Sequence, residues 1–152
     1  MRQKSFFDEE DRMEKISKLG DPLEVLNKVI DWKIFRNVLN KAVCRKENTQ
    51  KGGRPSYDVV MMFKILVLQR LYNLSDDQTE YQINDRRSFM RFLELDLCDN
   101  IPDAKTIWKF RNDLVQTNAM EEMFCLFDEK LNKEGLCLLY TSPSPRDLST
   151  SR

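Results

Sequence analysis

The sequence predicts an all-α protein: a compact multi-helix bundle with a helix-turn-helix-like portion and a disordered C-terminal tail. Three observations predict it. Glycine and proline are scarce, four and five in 152 residues, and they stand between periodic segments, as expected of helices joined by short turns. Apolar residues recur at spacings of three and four along most of the chain, which marks one face of a 3.6-residue repeat. Residues that cap helices stand just ahead of several of these runs. A chain of this length is about one domain and can bury one real core.

Taken in order, residues 1–20 read as an N-terminal arm, because Phe6 and Phe7 stand in no apolar run and acids follow them. The first helix begins at Asp21-Pro22-Leu23-Glu24: an aspartate cap, a proline at the first helical position and an early glutamate all favour a helix start. Leu23, Leu26 and Ile30 continue it. Asp31 can cap the next helix, whose apolar face is Ile34, Phe35, Val38 and Ala42. From Lys41 to Arg54 the stretch turns basic, with Lys41, Arg45, Lys46, Lys51 and Arg54 against Glu47 alone, and it closes on Gly52-Gly53-Arg54-Pro55, a turn or flexible loop.

Asp58 caps a third helix, Val59 to Asn73. Its apolar residues run all round, so it should be the central element on which the others pack. Ser75 with Gln78 makes a capping box, and Asp76 and Asp77 complement the dipole of the helix that follows. Tyr81 and Ile83 carry its apolar side. A short helix around Ser88 points Phe89, Phe92 and Leu93 inward. Pro102-Asp103 opens a helix with Ile107, Phe110 and Leu114 on one face. Asn118 with Glu121 can cap the last helix, where Met120, Met123, Phe124, Phe127 and Leu131 form a stripe. The domain is therefore read as residues 21–137. Residues 138–152 are mostly serine, threonine and proline, too poor in apolar groups to offset their ordering entropy.

Composition removes several function classes. Basic and acidic residues balance at 25 each and histidine is absent, which excludes histidine-dependent triads and the commonest metal ligand. Cys44, Cys98, Cys125 and Cys137 have no CxxC spacing. A zinc site would need all four to converge, so they read as reduced, mostly buried thiols of a cytoplasmic protein. No GxxxxGK[ST] loop exists. The pairs Asp76-Asp77, Glu9-Glu10 and Glu121-Glu122 sit at helix starts or in solvated sequence. The longest apolar run, Val59 to Leu68, spans ten residues, well short of the ~20 that a membrane helix needs. No signal peptide is visible, and neither a membrane nor a small-molecule substrate is indicated.

What remains is a pattern for double-stranded DNA. A helix-turn-helix lays the start of its second helix against base edges. Here that helix is Ala104 to Thr117, showing Lys105, Thr106, Lys109 and Asn112 beside Trp108 and Arg111. The connection of about ten residues exceeds the usual three or four, and Lys105 and Lys109 also describe an ordinary solvated face. Arg86 and Arg87 with Arg91 form a second basic cluster. Lys51 and Arg54, around the two glycines, form a third that suits a flexible arm on phosphate or in a minor groove.

At these residues the chain resembles a known family. The segments SFFDEEDRMEKISKLGDPLEVLNKVIDW (Ser5 to Trp32), KGGRPSYDVVMMFKILVLQRLYNLSDDQTEYQINDRRSFMRFLELDL (Lys51 to Leu97) and PDAKTIWKFRNDL (Pro102 to Leu114) resemble the N-terminal region of insertion-sequence transposases of the IS-five, InsH-like group. The resemblance implies that this helical region binds DNA, including the terminal inverted repeats. It also implies a following ribonuclease-H-like domain, whose two aspartates and one glutamate hold two divalent metals, Mg2+ or Mn2+ in the complete enzyme. In that family the first catalytic aspartate follows soon after the helix that ends here near Gly135, before a small residue and threonine. No such motif follows Leu136-Cys137-Leu138-Leu139-Tyr140, and Asp147 stands in the polar tail. The chain is thus expected to bind DNA without cofactor or nuclease activity. The tail LLYTSPSPRDLSTSR resembles translated sequencing-adapter read-through and is expected to be non-native from about Leu138. The competing expectation is a helical oligomerisation module acting as a truncated transposase inhibitor, built on the methionine stripe of the last helix and on Met61 and Met62.

Overall fold

Eight α-helices and one 3-10 turn make up the residues that the computed structural model describes, 8–43 and 56–136; no strand occurs among them. The order is α1 (Asp8–Lys18), α2 (Pro22–Val29), the 3-10 turn (Trp32–Phe35), α3 (Arg36–Val43), α4 (Val59–Tyr72), α5 (Asp76–Asp85), α6 (Arg87–Phe92), α7 (Ala104–Gln116) and α8 (Ala119–Lys133). The all-α expectation holds. The tail from Leu138, Cys44, Cys137, Lys51, Arg54 and the Gly52-Gly53 turn lie outside the described residues.

Local chemistry starts and stops these helices as their sequences indicate. Asp21 accepts from the Leu23 amide at 3.0 Å with Pro22 in the first turn. Asp58 accepts from Met61 and, through its other oxygen, from Arg36 at 2.7 Å, so one carboxylate caps α4 and ties it to α3. The Ser75–Gln78 capping box is complete in both directions. At the end of α4, Asn73 adopts φ +51° and the Leu74 amide reaches back to the Gln69 carbonyl, a left-handed stop that Asn tolerates. At the end of α8, Gly135 takes φ +70° and the Leu136 amide bonds the Leu131 carbonyl.

α4 is the axis of the core. Its residues 62–69 are all buried, and side chains from the 3-10 turn, α3, α5, α6, α7 and α8 close round it in one cluster. Phe63, fully buried, meets the rings of Phe35, Phe124, Trp32 and Phe127 at centroid distances of 5.0, 5.7, 6.3 and 6.4 Å.

Several positions differ from the sequence reading. The segment read as an arm contains α1. None of its described side chains is fully buried; an exposed Glu14–Lys18 pair spans one of its turns, and a hydrogen bond from Arg91 to Ser17 ties it to α6. Ile34 faces outward, and Trp32 and Leu39 are buried with Phe35 and Ala42, because a 3-10 turn of three residues per turn opens the segment and shifts its phase. Tyr81 is exposed; Thr79 takes the inward place, its hydroxyl donating to the Ser75 carbonyl at 2.6 Å. Asn118 lies in the left-handed region and gives no side-chain cap to α8. Cys98 and Cys125, the free thiols among the described residues, are exposed rather than buried.

One charged side chain lies deep in the bundle. The Lys64 ammonium, 3% exposed, donates to the Phe92 carbonyl at 3.1 Å and to Glu94 at 2.8 Å, and sits over the rings of Trp32 and Phe92. Glu94 adopts φ +59° to offer its carboxylate there. Removing the acid leaves the buried cation only the Phe92 carbonyl and the two rings, without a counter-charge, whereas replacing the lysine by an apolar chain of similar shape removes the charge itself. In urea denaturation, Glu94→Ala should cost about 1–2 kcal/mol and Lys64→Met less than about 1 kcal/mol. Glu94→Gly should recover part of the loss through its tolerance of positive φ. A larger loss for Lys64→Met than for Glu94→Ala would refute this account.

Candidate nucleic-acid interface

α7 lies on α3, α4, α5 and α8 and turns Ile107, Phe110 and Leu114, all buried, to the core. At about 100° per residue, Lys105, Asn112 and Gln116 then point away from the core, with Lys109 on one flank and Trp108 and Val115 on the other. Lys105 and Lys109 are exposed and form no ion pair among the described residues; Trp108 and Val115 are each 54% exposed. Thr106 is half-buried, its amide donating to Asp103 at 2.8 Å.

The helix is held in place by α5. Arg111 grips Asp76 with two hydrogen bonds of 2.7 Å, and Gln69 joins by donating to the same carboxylate at 2.8 Å. Burial pushes the Asp76 carboxyl up, but the hydrogen bonds from Arg111 and Gln69 and the guanidinium charge outweigh it and hold it below the ordinary carboxylate range. The Glu80 carboxylate accepts from the Ala104 amide at 2.9 Å. With Asp103 capping Thr106, two carboxylates therefore occupy the positive end of α7, where a phosphate would otherwise be attracted.

The residues singled out in the sequence divide accordingly. Lys105 and Lys109 share the outward face of α7, with Thr106 at its edge. Arg111 turns toward α5 instead: its guanidinium is engaged with Asp76, so the structure gives it a tertiary partner. Arg86, between α5 and α6, lies over the Phe89 ring at 5.3 Å and the Tyr72 ring at 6.0 Å. Arg87 borders a groove of about 740 Å³ that Glu10, Met13 and Leu97 also line. Arg91, grouped with these two in the sequence, is committed to Asp21 at 2.7 Å and to Ser17 at 2.9 Å. Lys51 and Arg54 lie outside the described residues. Glu80, the second cap of α7, was missed; a glutamate in mid-helix carries no local sign that it serves another helix. α5 and α7 touch, but α6 and the loop from Leu93 to Asp103 intervene in the chain, so no short turn joins them.

These features define an all-helical domain that ties Arg91 and Arg111 to acids of other helices and, among the described residues, shows two lysines without ion pairs and a tryptophan on one anchored helix. The pattern of the family described as Transposase domain (DUF772) matches residues 10–113, and the chain belongs to that family. Membership ties it to transposition and, in general terms, to DNA. The matched span runs from α1 into α7 and includes Lys105, Trp108, Lys109 and Arg111. No solved structure matches the chain. Among the described residues, no helix is long and apolar enough to cross a membrane.

Proposed function

We propose that this chain is the DNA-binding part of an insertion-sequence transposase of the IS-five, InsH-like group, and that it recognises the terminal inverted repeats of its element. The observation that supports this most directly is the outward face of α7, where Lys105 and Lys109 stand without acidic partners among the described residues, on a helix fixed by Arg111 and Glu80. In this reading α7 lies side-on to the duplex, since its N-terminal end is already capped. The lysines meet phosphates, Asn112 and Thr106 approach base edges, and Arg86, Arg87, Lys51 and Arg54 add peripheral phosphate contacts. Arg111 acts indirectly, by orienting α7.

We further propose that this chain by itself does not cut DNA.

Fluorescence anisotropy with a terminal-repeat duplex tests the binding. Affinity should fall steeply as salt rises from about 50 to 200 mM, because phosphate contacts release counterions. The Lys105→Ala/Lys109→Ala double variant should flatten the log–log salt slope by about two. A flat salt dependence, or equal affinity for a scrambled duplex, would defeat the proposal of specific end recognition. Chelator-sensitive cleavage in Mg2+ or Mn2+ would defeat the second proposal. The competing interaction-module reading gains no support here: Met123, Phe127 and Leu131 of the α8 stripe, and Met62, are buried within this chain.

A further inference from the structure

We infer that Trp108 is a stacking platform for an unpaired nucleobase, so that the α7 face prefers DNA with exposed single-stranded nucleotides over blunt duplex. The inference rests on the DNA-binding reading above and specifies its ligand. The chain has two tryptophans and treats them oppositely. Trp32 is 7% exposed inside the aromatic core, whereas Trp108 is 54% exposed, and no ring or cation of the described residues is recorded against it. Lys105 precedes it by about one turn and Lys109 follows it directly, so a flat π-surface stands beside two lysines that form no ion pair among the described residues. A nucleotide carries the matching pair of groups, a base with a π-face and a phosphate. Aromatic stacking between backbone-tracking cations is the usual basis of single-strand recognition. Within a duplex the base faces are already stacked on each other, so the indole gains this contact only where a base is free.

The anchoring of α7 favours the same role. Arg111 and Ala104 fasten the neighbouring helix edge to Asp76 and Glu80 of α5, so the indole is presented from a fixed helix. Because both carboxylates at the N-terminal end are engaged with backbone amides, the lateral face is the part of α7 left open to a ligand.

The test uses the full chain and three probes: a blunt 20-base-pair duplex, the same duplex with a three-nucleotide single-stranded overhang, and an oligothymidylate. Binding is read by anisotropy of labelled DNA and by intrinsic tryptophan emission. The wild-type chain should bind the overhang duplex about tenfold more tightly than the blunt one, the range that one stacked base supplies, with quenching of emission. Trp108→Ala should abolish that preference while leaving blunt-duplex affinity within about twofold. Trp108→Phe should bind as wild type without the quench. Trp108→Ala with an unchanged preference overturns the stacking role and leaves the DNA-binding reading standing. So does an equal loss on blunt and overhang DNA, which makes Trp108 a general contact. Failure of the wild-type chain to bind any of the three probes overturns both.

Discussion

Phe63→Ala should destabilise the domain by about 3–5 kcal/mol, the largest effect of any single truncation in this core. The ring is fully buried on the central helix. It joins three parts of the chain that no local interaction brings together: Trp32 and Phe35 in the 3-10 turn, α4 itself, and Phe124 and Phe127 on α8. Truncation removes the transfer free energy of the ring and leaves a void bounded by aromatic groups too rigid to close it. Domains of this size have total stabilities of about 5–15 kcal/mol, so the variant should melt far below the wild type or populate a loosely packed state. Phe63→Leu should retain roughly half of the lost stability, since it leaves a smaller void. Guanidinium denaturation followed by circular dichroism reads the change. A loss below about 1.5 kcal/mol for the alanine variant would mean that α8 is not packed against α4 through this ring.

Arg111→Ala should cost about 2 kcal/mol and displace α7 from α5. Two 2.7 Å hydrogen bonds from one guanidinium to one carboxylate, with Gln69 on the same carboxylate, form a planar match that lysine cannot reproduce. Arg111→Lys should therefore recover less than half of the loss. Both partners keep some contact with solvent, at 36% and 20% side-chain exposure, which keeps the figure below that of a fully buried pair. A double-mutant cycle with Asp76→Asn should return a coupling of about 1–2 kcal/mol, and a value near zero would reduce the pair to a surface coincidence. The pH dependence has a definite sign. Asp76 titrates below its ordinary range in the folded chain, so the folded state binds its proton less tightly than the unfolded chain does. The pair's contribution is complete above the ordinary carboxylate range and disappears as pH falls through the depressed folded value. The stability gap between wild type and Arg111→Ala should accordingly close in acid and stay constant from about pH 5 to 8.

Most of the framework was legible because its determinants are local. Asp58, Ser75–Gln78 and Asp103 act on amides three residues away, and such interactions are written in neighbouring letters. The centrality of α4 was legible too, because only a fully surrounded helix can be apolar on every side. α1 was hidden for the opposite reason. None of its described side chains is fully buried, and its signs are weak ones: Met13 and Ile16 at spacing three, the Glu14–Lys18 pair, Lys15 and Lys18 in its last turn, and Gly20 beyond it. The phase errors at Ile34 and Tyr81 arose where periodicity alone was followed. A 3-10 opening rotates the face by a fraction of a turn, and a threonine can be buried in place of a tyrosine once its hydroxyl bonds the preceding turn.

The same division runs through the candidate interface. Charge type, helix span and the outward direction of Lys105 and Lys109 follow from residues within α7. The assignment of each arginine does not, since Arg111 finds Asp76 across 35 residues and Arg91 finds Asp21 across 70. By itself the sequence determined that the chain is helical, where most helices start and stop, and which helix lies at the centre, because caps, dipoles and apolar periodicity operate within a turn or two. Only the tertiary structure decided which cations stay free for a ligand and which are consumed as internal fasteners. A guanidinium takes whichever carboxylate the packed helices bring within about 3 Å, and that proximity is a property of the fold.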